Sequence, residues 1–413
     1  MNKHSLLRFT GKGFLLLIVL LLLVESGIYL LAPIYDFHEP RPFSGNKLFN
    51  PYEGLDSAHW HKANFHFHTR AWGGSTSGSQ NSHAGFYRIY KMMGYDAPQI
   101  SNYQSIDRTF ADSIWFIQTY EHGFGIRKKH QILIGAREVL WLDYSLFQNR
   151  HHKQHILNLL RNDNEVVALA HPDWEEGYTP ADVKYLTNYD LMEVLNHNWR
   201  SVPLWDSALS NGHPVFILSD DDAHDITDPY EIHRCCTFVH AADFHKDSLI
   251  QSLKEGKAYG VEPYMSYHET FGMKAGKART LPTLNSVQVK GDTMFVSVSE
   301  QPLKINFIGQ NGKLRKSVLL SKDAWYKFQP EDTYIRTYIL FMIAFPNGKR
   351  GTGAKFYLNP VFRYDGQPPS NALKAEINRP FTWVFRIVGF GSVIALMSVI
   401  LILRRKCCLK KNR

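Results

Sequence analysis

Apolar residues gather first at the two ends of the chain. Gly13 to Val24 is unbroken by any polar side chain; Glu25 and Ser26 interrupt it, and it resumes from Ile28 to Ile34. Ile387 to Leu403 is a second run, 17 residues without a charge, with Trp383 and Phe385 at its entrance. A spanning helix takes about 20 mostly apolar residues, and aromatic side chains favour the membrane interface. The pattern predicts a membrane helix over 382–403. It predicts an anchor or a secretory signal over 1–35, the two being separable only by cleavage.

Between these ends the period shortens. After a Pro-, Gly-, Asn- and His-rich stretch, 36–62, that reads as a linker, residues 63–68 (Ala-Asn-Phe-His-Phe-His) alternate as a strand does. Gly85–Met93 has helical spacing, Asp96–Ile100 is extended, and Gln131–Ile134 is a strand candidate. His155–Leu160 is a helix candidate, Glu165–Ala170 a buried strand, and Leu191–Leu195 and Pro214–Leu218 two more strands. Strand–helix alternation predicts a parallel α/β sheet, open or closed into a barrel, over 63–280. From 284 to 365 the pattern changes. Val287–Lys290, Met294–Ser299, Lys304–Ile308, Ser317–Leu320 and Tyr334–Phe345 read as strands, with turn signals at Asn311-Gly312, Asn347-Gly348 and Asp365-Gly366. This predicts a small antiparallel β sandwich.

Charge alters the picture only once its position is considered. The net charge of +9 would suggest a polyanionic partner. Nine of the 47 basic residues, however, flank the terminal apolar runs (Lys3, Arg8, Lys12, and six within 404–413), leaving 38 against 38 acidic ones. The interior is neutral, which speaks against nucleic acid. Basic flanks stay in the cytoplasm, so 35–380 is expected outside it, in the periplasm of a cell with an inner membrane. The four cysteines, two adjacent pairs at Cys235-Cys236 and Cys407-Cys408, imply no disulfide framework.

The candidate chemistry lies where strands are predicted to end. His66 and His68 project from one strand face, and neutral imidazole is a frequent metal ligand. Glu138 follows the run Ile132-Leu-Ile-Gly-Ala-Arg, His171 follows Val166-Val-Ala-Leu-Ala, and Asp222 and His224 follow Val215-Phe-Ile-Leu-Ser. Parallel architectures gather functional groups at the carboxyl ends of strands. Carboxylate oxygen and imidazole nitrogen together suit Zn, Mn or Fe rather than Ca. Each residue alone also has a plain structural reading: a surface acid, a proline-stopped strand after His171, an aspartate turn. Arg70, two residues past His68, would share its face if the strand continued, and is a candidate for binding an anionic oxygen.

The ordered motifs Asn64-Phe-His-Phe-His-Thr69, Gly94 to Tyr103, Ile134-Gly-Ala-Arg-Glu138, Ala170-His-Pro172 and Leu218-Ser-Asp-Asp-Asp-Ala-His224 resemble the polymerase and histidinol phosphatase family over roughly residues 60–270. The resemblance implies a distorted seven-stranded TIM-like β/α barrel and hydrolysis of phosphate esters with two or three divalent metals. It implies metal ligands at His66, His68, Glu138, His171 and Asp222, with Glu138 bridging two metals and His224 at a third metal or beside phosphate. A further histidine ligand is implied between the Glu and His171 motifs, with His151, His152 and His155 all open as candidates. Ser101-Asn102-Tyr103 stands where the family usually has Thr-Asp-His, so two metals are expected rather than three.

The expected function is a membrane-anchored, metal-dependent phosphoesterase acting on a phosphorylated substrate, with His224 protonating the leaving oxygen. Two rivals come from the same residues: a catalytically impaired binding or scaffold protein, favoured by Asn102 and Tyr103, and a nuclease, disfavoured by the neutral interior.

Overall fold

Two periodicities produce two kinds of element in this computed structural model, which describes residues 3–264, 269–344, 350–367 and 375–411. The chain divides into one unit of Met1–Phe37, Gln148–His155 and Ala375–Arg413, and another of His38–Phe147 and Ile156–Lys374. In the first unit the apolar ends are the helices Lys3–Leu31 and Arg379–Lys411. Tyr35–Asp36 pairs antiparallel with Glu376–Ile377. Asn378 caps the C-terminal helix, its Oδ1 accepting from Phe381 N–H at 3.0 Å while its amide donates to Asp36. From Arg379 to Ile402 that helix is long and apolar enough to cross a membrane, and Thr382 alone of those residues is buried; Leu17–Leu31 is a shorter apolar stretch. Apolar side chains left exposed around most of a helix favour a hydrocarbon setting over water.

The second unit is mixed α/β. A five-stranded sheet runs Thr119–His122, Gln131–Ala136, Asn164–Leu169, Leu191–Leu195, Phe216–Ser219. Its first two junctions are antiparallel and its last two parallel. Asn164–Leu169 is buried almost throughout, as a central strand covered on both faces must be.

A ten-stranded sheet carries Ala97–Pro98, Trp60–Asn64, Cys236–His240 and Ala258–Glu262, and continues through Arg350–Leu358, Tyr334–Ala344, Lys304–Gly309 and Lys313–Leu319. Leu284–Lys290, Thr293–Val298 and Asp323–Lys327 form a separate three-stranded sheet.

Several expectations change here. Among the described residues no closed barrel forms; single-residue parallel bridges, Phe67 with Ala223 and Tyr103 with Glu121, link the five- and ten-stranded sheets. The expected boundary near 283 does not divide the ten-stranded sheet, and one apolar cluster runs from Phe67 and Tyr90 to Val296, Phe307 and Phe356. The span 36–62 is not bare linker, since Lys47–Phe49 pairs with Val361–Tyr364. Asn311-Gly312 turns the hairpin as expected, both residues at positive φ (58° and 68°). Asn347-Gly348 and Phe345 lie outside the described residues. Cys235 and Cys236 are free and buried.

Candidate metal centre

The strand Trp60–Asn64 stops, but the chain runs on extended through Phe65-His66-Phe67-His68. Phe65 and Phe67 enter apolar surroundings, which leaves both histidines on the other face. Phe65 N–H donates to Asp220 Oδ1 at 2.8 Å and Phe67 N–H to Ser101 Oγ at 3.1 Å. Thr69 N–H donates to Asn102 Oδ1 at 2.8 Å. Ser101 and Asn102, where the family pattern fails, thus brace the histidine segment. The three aspartates have separate tasks. Asp220 holds Phe65, and Asp221 accepts from Tyr90 Oη–H and from the backbone of His233, Arg234 and Cys235. Asp222 alone faces the histidines.

Six buried side chains converge. Asp222 Oδ1 lies 3.0 Å from His66 Nε2 and 3.3 Å from His68 Nε2. Glu121 Oε2 lies 3.3 Å and 3.2 Å from the same two nitrogens. Its other oxygen, Oε1, is 3.1 Å from His171 Nε2 and 2.6 Å from His130 Nδ1. One carboxylate therefore stands between two donor groups, His66–His68–Asp222 and His130–His171. His171 and Asp222 both sit at positive φ, 27° and 50°, a strain costing about 1–3 kcal/mol each. Glu193 Oε1 takes His66 Nδ1 at 2.9 Å, while its Oε2 accepts His171 N–H at 2.6 Å and Asn196 Nδ2 at 3.1 Å. That contact fixes the His66 ring with Nε2 toward the cluster, as partners of ligating histidines do.

Electrostatics agree with this packing. Burial pulls the His66 imidazole down, but Asp222, Glu193 and Glu121 together hold it well above its ordinary value. Burial pushes Glu121 up, yet His130 and His66 keep it well below the usual carboxylate range. Burial, reinforced by His68, holds His224 down at about 4. Burial also raises the Tyr103 phenol, so it stays protonated and can donate to His224 Nε2, 3.2 Å away.

The cluster passes a test for metal. His66 Nε2, His68 Nε2 and Glu121 Oε2 are fully buried and none has a hydrogen-bond partner, although they point at one another. Buried polar atoms are normally satisfied, and three orphans sharing one focus are what an ion's ligands look like without the ion. The combinations His66–His68–Glu121, His66–His171–Asp222, His68–Asp222–His224 and Glu121–His130–His171 each bring donor atoms close enough for one ion.

Of the expected site residues, His66, His68, His171, Asp222 and His224 come together. Glu138 does not. It is exposed beyond the strand Gln131–Ala136, and that strand runs antiparallel to both neighbours, with Gln131 opposite His122 and Leu169. Its amino end therefore faces the site, bringing in His130, while its carboxyl end carries Glu138 away. Glu138→Gln should leave bound metal unchanged and shift stability by no more than about 0.5 kcal/mol; loss of metal on elemental analysis would restore Glu138 as a ligand.

His151, His152 and His155 belong to the first unit and to none of these clusters. His151 Nδ1 accepts Tyr35 N–H at 3.0 Å and His152 Nδ1 accepts Asn149 N–H at 3.2 Å. Arg70 is exposed, because the chain turns at Trp72–Gly74 instead of continuing as a strand. It lines a separate pocket with Gly73, Gly74 and Ser79. The open pocket beside Asp222 and His224, about 310 Å³, offers Lys128 as its cation, together with Tyr103, Trp174, Asn196 and Trp199.

No family model matches the chain, and no curated protein matches it. Among solved structures, it aligns with a two-domain protein from Bacteroides vulgatus ATCC 8482 containing a predicted PHP-like metal-dependent phosphoesterase. Identity is 12%, coverage 83% of this chain and 100% of the other, and the TM-score 0.35. Likeness at that level carries no argument; the chemistry rests on the geometry above.

Proposed function

We propose that this chain is a metal-dependent phosphoesterase, held to a membrane by its terminal apolar helices with the second unit outside the cytoplasm. The observation that carries the reading is the set of buried, unpartnered ligand atoms focused on Glu121. His66, His68, Asp222 and Glu121 would hold one divalent ion, and Glu121, His130 and His171 a second, with Zn, Mn or Fe fitting the donors. When bound, such ions supply Lewis acidity that polarises a phosphoryl oxygen and acidifies water.

The chain's own residues do the rest. Glu193 keeps His66 oriented through its 2.9 Å contact. Lys128, at the pocket rim with its ammonium 4.9 Å from the Trp174 ring centre, faces the charge of an incoming phosphate. In hydrolysis a P–O bond forms to water, the ester P–O bond breaks, and the leaving oxygen takes a proton. Tyr103 Oη–H, held at that pocket against His224 Nε2, is placed to deliver it. A pocket of about 310 Å³ suits a small ester better than a long polyanion.

Elemental analysis of the purified full chain, paired with turnover of an aryl phosphate and a phosphomonoester panel, tests the reading. Metal should co-purify, chelation should abolish turnover, and divalent ions should restore it. His66→Ala should lose both metal and activity. A metal-free, inactive wild type would favour the scaffold reading instead.

A further inference from the structure

The pocket rim continues outward into apolar surface that none of the described residues covers. Trp72, Phe124, Ile126 and Trp141 are 48%, 52%, 72% and 61% exposed. They are not scattered. Trp72 Nε1–H donates to Tyr103 C=O at 2.7 Å, which ties it to the site, and its ring meets Trp141 edge-on at 5.6 Å. Residues 123–129, which carry Phe124, Ile126 and Lys128, are bound to residues 139–147, which carry Trp141. Phe124 N–H donates to Asp143 Oδ2 at 3.0 Å, and Ile126 N–H donates to Ser145 C=O at 2.8 Å. His122, the residue that precedes the first of these loops, places its Nε2 3.0 Å from Leu142 C=O in the second.

Large exposed apolar side chains clustered at a site mark something that binds there. Their kind identifies what. Two indoles, a phenyl and a branched aliphatic, with the cations Arg127 and Lys128 on the loop that carries Phe124 and Ile126, have the composition of a surface that enters the headgroup region of an anionic bilayer. Charge complementarity favours lipid over a second copy of this chain, which would set these cations against each other.

We propose that this rim lies in the membrane interface and that the site draws its substrate from the bilayer, as a phosphate ester carried by a lipid. The substrate part of this rests on the phosphoesterase reading; the docking part does not. Loop 123–129 then has two tasks. Phe124 and Ile126 enter the lipid, while Lys128 receives the phosphate-bearing end at the pocket.

The test uses the full chain with Cys407→Ser and Cys408→Ser, reconstituted in phosphatidylcholine–phosphatidylglycerol vesicles with brominated acyl chains. A polarity-sensitive dye on Ile126→Cys should be quenched, and the same dye on Glu331→Cys, an exposed turn position just before the strand Tyr334–Ala344, should not. Equal quenching at both, or at neither, overturns the docking. A blue shift at 126 that needs no lipid and grows with protein concentration assigns the surface to a second copy, and overturns it too. The triple variant Phe124→Ser, Ile126→Ser, Trp141→Ser should keep aryl phosphate turnover and lose roughly tenfold on a vesicle-borne phosphatidate. Equal loss on both substrates, or none on the lipid, would remove the lipid substrate. A wild type that hydrolyses neither ester fails the phosphoesterase reading while leaving the quenching result intact.

Discussion

Glu121→Gln should lower turnover by about 10³-fold or more and empty at least one metal position, while the apoprotein folds as before. The reasoning is geometric. Glu121 places one oxygen 3.2–3.3 Å from His68 and His66 and the other 2.6–3.1 Å from His130 and His171, so among the described residues it is the carboxylate that meets imidazole nitrogens of both donor groups. An amide keeps the shape and one acceptor but loses the charge that would offset two cations. Metal polarisation is worth several kcal/mol in the transition state, and each 1.36 kcal/mol is tenfold in rate, which gives the magnitude. The fold should tolerate the change, because an amide keeps an acceptor for His130 and the buried cluster retains Glu193 and Asp222 as partners of His66 and His68. The decisive readout is the metal-induced rise in Tm, which follows occupancy by mass action. It should vanish in Glu121→Gln and persist in Glu138→Gln. If Glu121→Gln keeps full metal content and turnover, the bridging role is wrong.

The contrast between these two glutamates shows what the sequence could and could not disclose. His66, His68, His171, Asp222 and His224 were legible because apolar runs precede them and their strands do carry their carboxyl ends to the site. Glu138 was a reasonable reading of the same rule applied to a strand that runs the other way. Strand direction is set by long-range pairing, Gln131 opposite both His122 and Leu169, and nothing local encodes it. The four-residue strand Thr119–His122 is buried at every position, so it has no alternation to announce it, and Glu121 passed unseen. A buried acid next to histidine, in Tyr120-Glu121-His122, was the available signal. Glu193, within Leu191–Leu195, was hidden by the same absence of alternation. The extent of the ten-stranded sheet was illegible for a related reason: hairpin turns and strand periods appear in sequence, whereas the partner across a sheet does not. The C-terminal apolar helix needed no partner to be recognised, only length and composition.

The largest stability effect is expected far from the cluster, at Arg336→Ala. Arg336 donates through Nε and Nη2 to the two oxygens of Asp206, both at 2.7 Å, with both residues buried, and Tyr334 Oη–H adds a third contact to Asp206 at 3.1 Å. The pair joins the helix Val202–Ser210 to the strand Tyr334–Ala344. Close packing on the other side leaves no room for relaxation, since a Cβ on Gly312 would sit 2.7 Å from Asp206 Oδ2. Removing one partner leaves a buried charge alone, at about 3–5 kcal/mol, or a fall in Tm on the order of 10 °C for a unit of this size. Asp206→Asn, which keeps a carbonyl acceptor, should cost less than Arg336→Ala. The double change Asp206→Leu with Arg336→Met should recover most of the loss, because two desolvated charges leave together. Thermal unfolding of the wild type, the single variants Asp206→Leu and Arg336→Met, and the double variant closes the cycle and isolates the coupling between the two side chains. Losses that simply add would mean that Arg336 acts through its packing over Trp205, 5.4 Å from the ring centre, rather than through its charge.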